Sequence, residues 1–305
     1  MPRMPVCEWP TLALLIFVFG GWAGLLYFAN ALGYWLCFPF LALLITLSSS
    51  LQHEVLHGHP TRSKMFNEAL VYLPLGLFIP YRRFKQLHLR HHNNDRLTDP
   101  YDDPESFYWA WSDWTKLPGV LKAILTLNNT LLGRLIIGPA VSLVGFYGSE
   151  MRAMVLGDKE VRNAWLHHLI GAVPVVLFVS LIGNVPFWLY VLTVCYPAMS
   201  LLMLRTFAEH RAHKNPDARS IIVEFCPLFS VLFLNNNLHV VHHAYPRIAW
   251  YRLPDLYQSR KAEWQSRNDG YVYKSYFSLA RQYLLSQKEP VAHPLMKQAK
   301  GEGAR

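Results

Sequence analysis

Two long stretches of this chain carry no Asp, Glu, Lys or Arg: 45 residues between Glu8 and Glu54, and 42 between Arg162 and Arg205. A helix crossing a bilayer needs about 20 apolar residues, so each stretch is long enough for two passes and a turn. Turn residues stand near the middle of both, Asn30 and Gly33 in the first and Gly183-Asn-Val-Pro186 in the second. The pattern predicts four spans, about 11–30, 34–52, 165–182 and 186–204, arranged as two helical hairpins.

A soluble core does not explain such stretches, because soluble helices keep one polar face and these offer none. The fold class that follows is all-α and integral to the membrane. Residues 53–163 and 205–290 are more polar and are expected to form a helical cap on this stem. Cap and stem alternate along the chain, so residues 1–305 are taken as a single domain. Within the cap, Ala69–Pro80 is too short to cross and reads as interfacial or re-entrant, as does Ile221–Leu234. Residues 119–148 are apolar but interrupted by Lys122, Asn128, Asn129 and Arg134, which predicts an amphipathic helix lying on the membrane. The tail, 291–305, is expected to be disordered.

Composition agrees. Hydrophobic residues make up 52% and charged residues 16%, the latter well under the quarter or so usual in soluble domains. Charge then sets an orientation. All 29 Lys and Arg lie outside the two charge-free stretches, and positive residues collect on the cytoplasmic side of a membrane. Both hairpins, and both termini, are therefore expected to face the cytoplasm. The net charge of +9 reads as this bias plus attraction to anionic lipid; no nucleic-acid-binding motif accompanies it. Cys7, Cys37, Cys195 and Cys226 form no C-x-x-C pair and read as small buried hydrophobes.

The chemistry lies in the histidines. Eight of the 14 sit in three short windows: His53-Glu-Val-Leu-His57, His88-Leu-Arg-His91-His92 and His239-Val-Val-His242-His243. Residues at i, i+3 and i+4 of a helix share a face, so each window can aim its imidazoles together. All three flank the charge-free stretches or belong to the cap, and so fall on the cytoplasmic edge. Neutral imidazole suits iron, copper and zinc. Eight or nine such ligands exceed what one ion uses and suit two ions at four to five each.

His210, directly after the fourth predicted span, is a candidate ninth ligand, against the plainer reading of an interfacial histidine. Asn235, four residues before His239, is a candidate for a water-mediated or supporting contact. His59 extends the first window but points about 120° away from His53 at about 100° per residue, so ligation and a supporting role both stay open. For His167, His168, His213 and His293 a plain structural role is expected. Asp95, Asp99, Asp102, Asp103 and Glu105 follow the second window; they fit hydrogen-bond partners of the histidines or a solvated loop.

The order, spacing and topology of these segments resemble the membrane fatty acid desaturase/hydroxylase superfamily. The matching segments are His53-Glu-Val-Leu-His57-Gly-His59, His88-Leu-Arg-His91-His92 and Asn237-Leu-His239-Val-Val-His242-His243-Ala-Tyr-Pro246, continuing to Leu253-Pro254, within about residues 40–260. The resemblance implies a non-haem di-iron enzyme. Its ligands would be His53, His57, His88, His91, His92, His239, His242 and His243, with His210 the matching extra one. It further implies O2 as co-substrate and the introduction of a double bond into a fatty acyl or acyl-lipid chain. Phe207-Ala-Glu-His210-Arg211 is also similar to a stretch of carotenoid ketolases in the same superfamily. A hydroxylase or ketolase acting on acyl chains, carotenoids or another apolar molecule is therefore the alternative.

Electrons must come from elsewhere, since the chain has no flavin fingerprint, no C-x-x-C pattern and no fused haem motif. A separate ferredoxin or similar donor is implied. Tyr81-Arg-Arg-Phe-Lys85 offers a basic docking segment, with lipid contact the simpler reading. A non-catalytic metal-binding membrane protein is the remaining class. A carrier would place its ligands along a path near mid-membrane, whereas these lie at one edge.

Overall fold

The computed structural model describes residues 7–296. Four helices are long and apolar enough to cross a membrane: Trp9–Tyr27, Tyr34–Leu56, Lys159–Ile182 and Phe187–Glu209, spans one to four below. Most of the remaining chain is helical. The described sheet is a two-residue parallel pairing of Ile222–Val223 with Val272–Tyr273. An apolar core joins Leu15 and Val18 of span one, Leu41 and Leu51 of span two, and Val194 and Ala198 of span four. On the outside of the spans, large side chains such as Ile16, Phe17, Leu169 and Leu181 stay exposed. A bilayer takes such a surface as readily as a protein core takes the inner one.

The turns fall at the predicted polar residues and meet each other. Asn30 Nδ2 donates to the Gly183 carbonyl at 2.9 Å, and the Tyr34 hydroxyl donates to the Asn184 carbonyl at 3.1 Å. Below them, Trp22 Nε1 donates to the Tyr190 hydroxyl at 2.9 Å, tying span one to span four.

Three spans run further than the charge-free stretches. Span two continues to Leu56, so His53 and Glu54 sit in its last turns. Span three starts at Lys159, where Asp158 Oδ1 accepts from the amides of Glu160 and Val161 and caps it. Span four continues through Arg205 to Glu209. These two pair at 2.9 Å while Asn236 Nδ2 donates to the same carboxylate at 2.8 Å, so the buried charges are compensated and the helix need not end before them.

Residues 119–148 do not form one helix. Helices Gly119–Asn128, Leu131–Ile136 and Gly138–Val155 replace it. The break comes from the polar residues at 128–130. Thr130 Oγ1 caps Gly133 at 3.0 Å, and Arg134 turns inward so that its Nε reaches the Asn128 carbonyl at 2.9 Å. Ala69–Pro80 ends the short helix Lys64–Leu70 and then folds in against span four, where the Tyr190 hydroxyl donates to the Leu75 carbonyl at 2.8 Å. The expected disordered tail begins too early, because residues 291–296 are docked. The Trp109 amide donates to Val291 at 2.8 Å and the His293 amide returns to Trp109 at 2.9 Å. Residues 297–305 lie outside the described residues.

Candidate metal centre

Nine histidines converge where spans two and four meet the helix Tyr81–His92 and the chain that follows span four. His53 is in the last turns of span two and His57 is its C-cap. His88, His91 and His92 close the helix Tyr81–His92, His210 is the first residue after span four, and His239, His242 and His243 lie on the short helix His239–Ala244. They form two groups. In the first, one nitrogen from each of His53, His57, His88, His92 and His242 lies within 4.8 Å of every other. In the second, His91, His210, His239 and His243 do the same.

Each H-x-x-H-H window is thus divided between the groups. His88 and His92, four apart, go to the first, while His91, about 100° around the helix from His92, goes to the second. The third window does the reverse: His239 and His243 join the second group and His242 the first. The groups touch along a seam where the rings of His92 and His243 stack, centroids 4.2 Å apart and planes 14° from parallel.

Three of the outward nitrogens are held by acceptors. His88 Nδ1 lies 2.8 Å from Glu105 Oε1, His91 Nδ1 lies 2.7 Å from Asp103 Oδ1, and His239 Nδ1 lies 3.0 Å from Asn236 Oδ1. These partners place a proton on Nδ1 and turn each Nε2 inward, with a bare lone pair wherever the ring is neutral. The inward nitrogens then crowd one another. His210 Nε2 is 3.2 Å from that of His91 and 2.9 Å from that of His239, and His92 and His242 approach to 3.1 Å. Buried Nε2 atoms of His53, His57 and His88 have no hydrogen-bond partner among the described residues. A buried polar atom left so costs about 1–3 kcal/mol. Converging, unpartnered lone pairs on neutral imidazole are what a cation satisfies, so the donor set fits two metal ions, with five and four nitrogens.

The electrostatics agree. Burial, and after it the neighbouring imidazoles, push the pKa values of His57, His92, His239, His242 and His243 below the ordinary 6.5. His210 is lowered by burial and by His239 and His91. His91 is the exception. Burial opposes its charge, but the Glu105 and Asp103 carboxylates override that and push it up to about 9. Glu105 is held well below the carboxylate range: burial works against this, and His88 and His91 overcome it.

Several residues had no clear signal in the sequence. Asn236 bridges Glu209 and His239. Lys288 Nζ donates to the carbonyls of Phe207 and His210 at 2.6 Å each, capping span four where His210 leaves it. Asn235 shares no helical turn with His239, because the helix starts only at His239 and Asn235 has a φ of 57°. Its Nδ2 donates instead to the Trp250 carbonyl at 3.0 Å. His59 joins neither group: its Nδ1 meets Glu8 Oε2 at 2.8 Å, and Glu54 Oε1 lies 3.8 Å away. Glu54 also accepts from the Trp250 amide at 3.0 Å, tying the first window to the chain beyond the third. His168 bonds the Leu77 carbonyl at 2.8 Å, and His167, His213 and His293 likewise lie outside both groups. The basic segment after Pro80 is compensated: Arg82 and Lys85 face Glu68, and Arg83 pairs with Glu150.

A family model described as fatty acid desaturase matches residues 29–275, which holds all nine of these histidines. The chain belongs to the fatty acid desaturase family. No curated protein matches it. Membership places it among membrane oxidoreductases of desaturase or hydroxylase type, in keeping with the four apolar helices.

Two clefts approach the centre of this desaturase-family chain. One is apolar, about 80 Å³, and lined by Ile45, Ser49, Gln52, Leu75, Phe78 and Met199. Ser49 stands one helical turn before His53. The other is polar, about 180 Å³, and reaches His91, His92 and His243.

Proposed function

We propose that this protein is an O2-dependent di-iron desaturase that introduces a double bond into a fatty acyl or acyl-lipid chain. The observation that carries the reading is the pair of imidazole groups whose ring nitrogens converge within 4.8 Å, with the Nε2 atoms of His53, His57 and His88 unpartnered and the outward Nδ1 atoms of His88, His91 and His239 held by Glu105, Asp103 and Asn236. His53, His57, His88, His92 and His242 would hold one iron, and His91, His210, His239 and His243 the other. Bound iron supplies the oxygen activation needed to break an unactivated C–H bond, which no ionisable side chain can do.

The chain's own residues do the rest. The carboxylates and Asn236 fix the ring tautomers. The cleft between spans two and four, with the Leu75–Phe78 segment as its wall, would offer an apolar approach toward His53 by way of Ser49, one helical turn before it. Electrons come from a separate ferredoxin-like donor. We place the centre, the cap and both termini on the cytoplasmic side. The joined turns at Asn30 and Gly183 belong to charge-free stretches, while the Lys and Arg lie beyond the opposite ends.

Purified protein is expected to hold two irons per chain, and an expressing host to gain an acyl double bond. A new hydroxyl or keto group instead would select the hydroxylase or ketolase reading, which the Phe207–Arg211 segment favours. Absence of bound iron would overturn both.

A further inference from the structure

Of the nine imidazoles, seven are buried and two, His92 and His243, are half-buried. One belongs to each group, and they stack on each other at the seam. Both line the polar cleft, together with the buried His91. Toward solvent the same cleft is lined by the exposed Asp95, Asp217 and Arg267. Asp217 pairs with Arg267 at 2.8 Å, whereas Asp95 forms no ion pair among the described residues.

We propose that this cleft is the route by which divalent cations reach both imidazole groups, with Asp95 as the oxygen site met first and the Arg267–Asp217 pair as a brake. The inference rests on the metal-binding reading above. Carboxylate oxygen is a ready ligand for hard divalent cations, and two carboxylates at the solvent-facing rim against one guanidinium raise the local cation concentration and its on-rate. The route ends on His92 of the first group and on His91 and His243 of the second, so a single opening serves both. The other cleft suits a cation poorly, since its lining holds no ionised group and stripping an ion of water there is costly. The brake is weak because both partners are exposed, and exposed pairs contribute little. Arg267 can therefore swing away without disturbing the fold, and its removal leaves Asp217 free to join Asp95.

The test uses the full-length chain in lipid nanodiscs, stripped of metal by a chelator and given ferrous iron without oxygen. Uptake is followed by metal analysis against time, a readout separate from turnover. At low ionic strength Asp95→Lys is expected to slow uptake about tenfold and Asp95→Asn by less, with Arg267→Gln speeding it severalfold. Final capacity should stay unchanged in all three. Asp255→Lys, at an exposed acid that does not line the cleft, should match the parent. Opposite signs at residues 95 and 267 cannot arise from a general loss of folding. Parent-like uptake in the Asp95 and Arg267 variants would overturn the route while leaving the metal centre standing. A parent chain that takes up no iron would overturn the metal centre itself.

Discussion

Asp103 accepts a hydrogen bond from His91 Nδ1 at 2.7 Å, with both side chains buried. The same carboxylate accepts the Thr98 amide at 2.7 Å and the Glu105 amide at 3.0 Å, so the loop after the second histidine window is wound around it. Asp103→Asn keeps the shape but removes the charge and sets an N–H against the Thr98 amide. Loss of such a supporting carboxylate typically lowers metal affinity about 10–100-fold. Competition against a chelator at fixed pH should show a drop of that size. An unchanged affinity would mean that His91 does not depend on this partner.

His210 is the residue outside the three windows that the geometry adds to the second group. Without it that group keeps three nitrogens and the first keeps five. His210→Ala is expected to retain one tightly held metal per chain and to lose the other on dialysis, as read by elemental analysis. Retention of both would remove His210 from the ligand set.

Asn236 and its neighbour Asn235 should respond in opposite ways. Asn236→Ala strands His239 Nδ1 and takes one donor from Glu209, both buried. This should cost about 1–3 kcal/mol and loosen the second metal. Asn235→Gly loses a bond to Trp250, but glycine adopts the φ of 57° freely. It should shift stability by no more than about 1 kcal/mol and leave metal content alone. Thermal melts with metal analysis of the two variants decide the matter.

These residues show how far sequence patterns reach. Four spans were legible because a charge-free stretch of 45 or 42 residues admits no other arrangement in lipid. Their ends were not: Arg205 and Glu209 compensate each other only through the fold, and nothing local announces that pairing. The histidines were legible by spacing, but their division was not. Whether His91 joins His88 or His210 depends on how the helix Tyr81–His92 is rotated against its neighbours. The acids after the second window were legible as partners, and Asp103 and Glu105 fill that role. Helical periodicity carried back past His239 points to Asn235, but the backbone there turns through positive φ at Leu234 and Asn235, and it is Asn236 that meets His239. Lys288 lies 78 residues from the carbonyl it caps, and no window of sequence connects the two.

Removing the metals should expose an acid lability. His57, His92, His210, His239, His242 and His243 have folded pKa values lowered by burial, and then by charged neighbours, from the ordinary 6.5. Below that pH the unfolded chain binds protons that these folded rings refuse, so each ring withdraws stability as pH falls. His91 works the other way. Raised to about 9, it contributes fully below 6.5 and loses its contribution as pH rises through about 9. Six rings outweigh one, so the metal-stripped chain should melt at a lower temperature at pH 5.5 than at pH 7.5. Bound metal occupies the same lone pairs, and its stabilisation should itself shrink toward pH 5.5 as protons compete for them. Differential scanning of stripped and loaded protein across this range measures both slopes. A stripped chain that melts higher in acid would show that these rings are not held neutral in the fold, and the argument from converging lone pairs would fall with it.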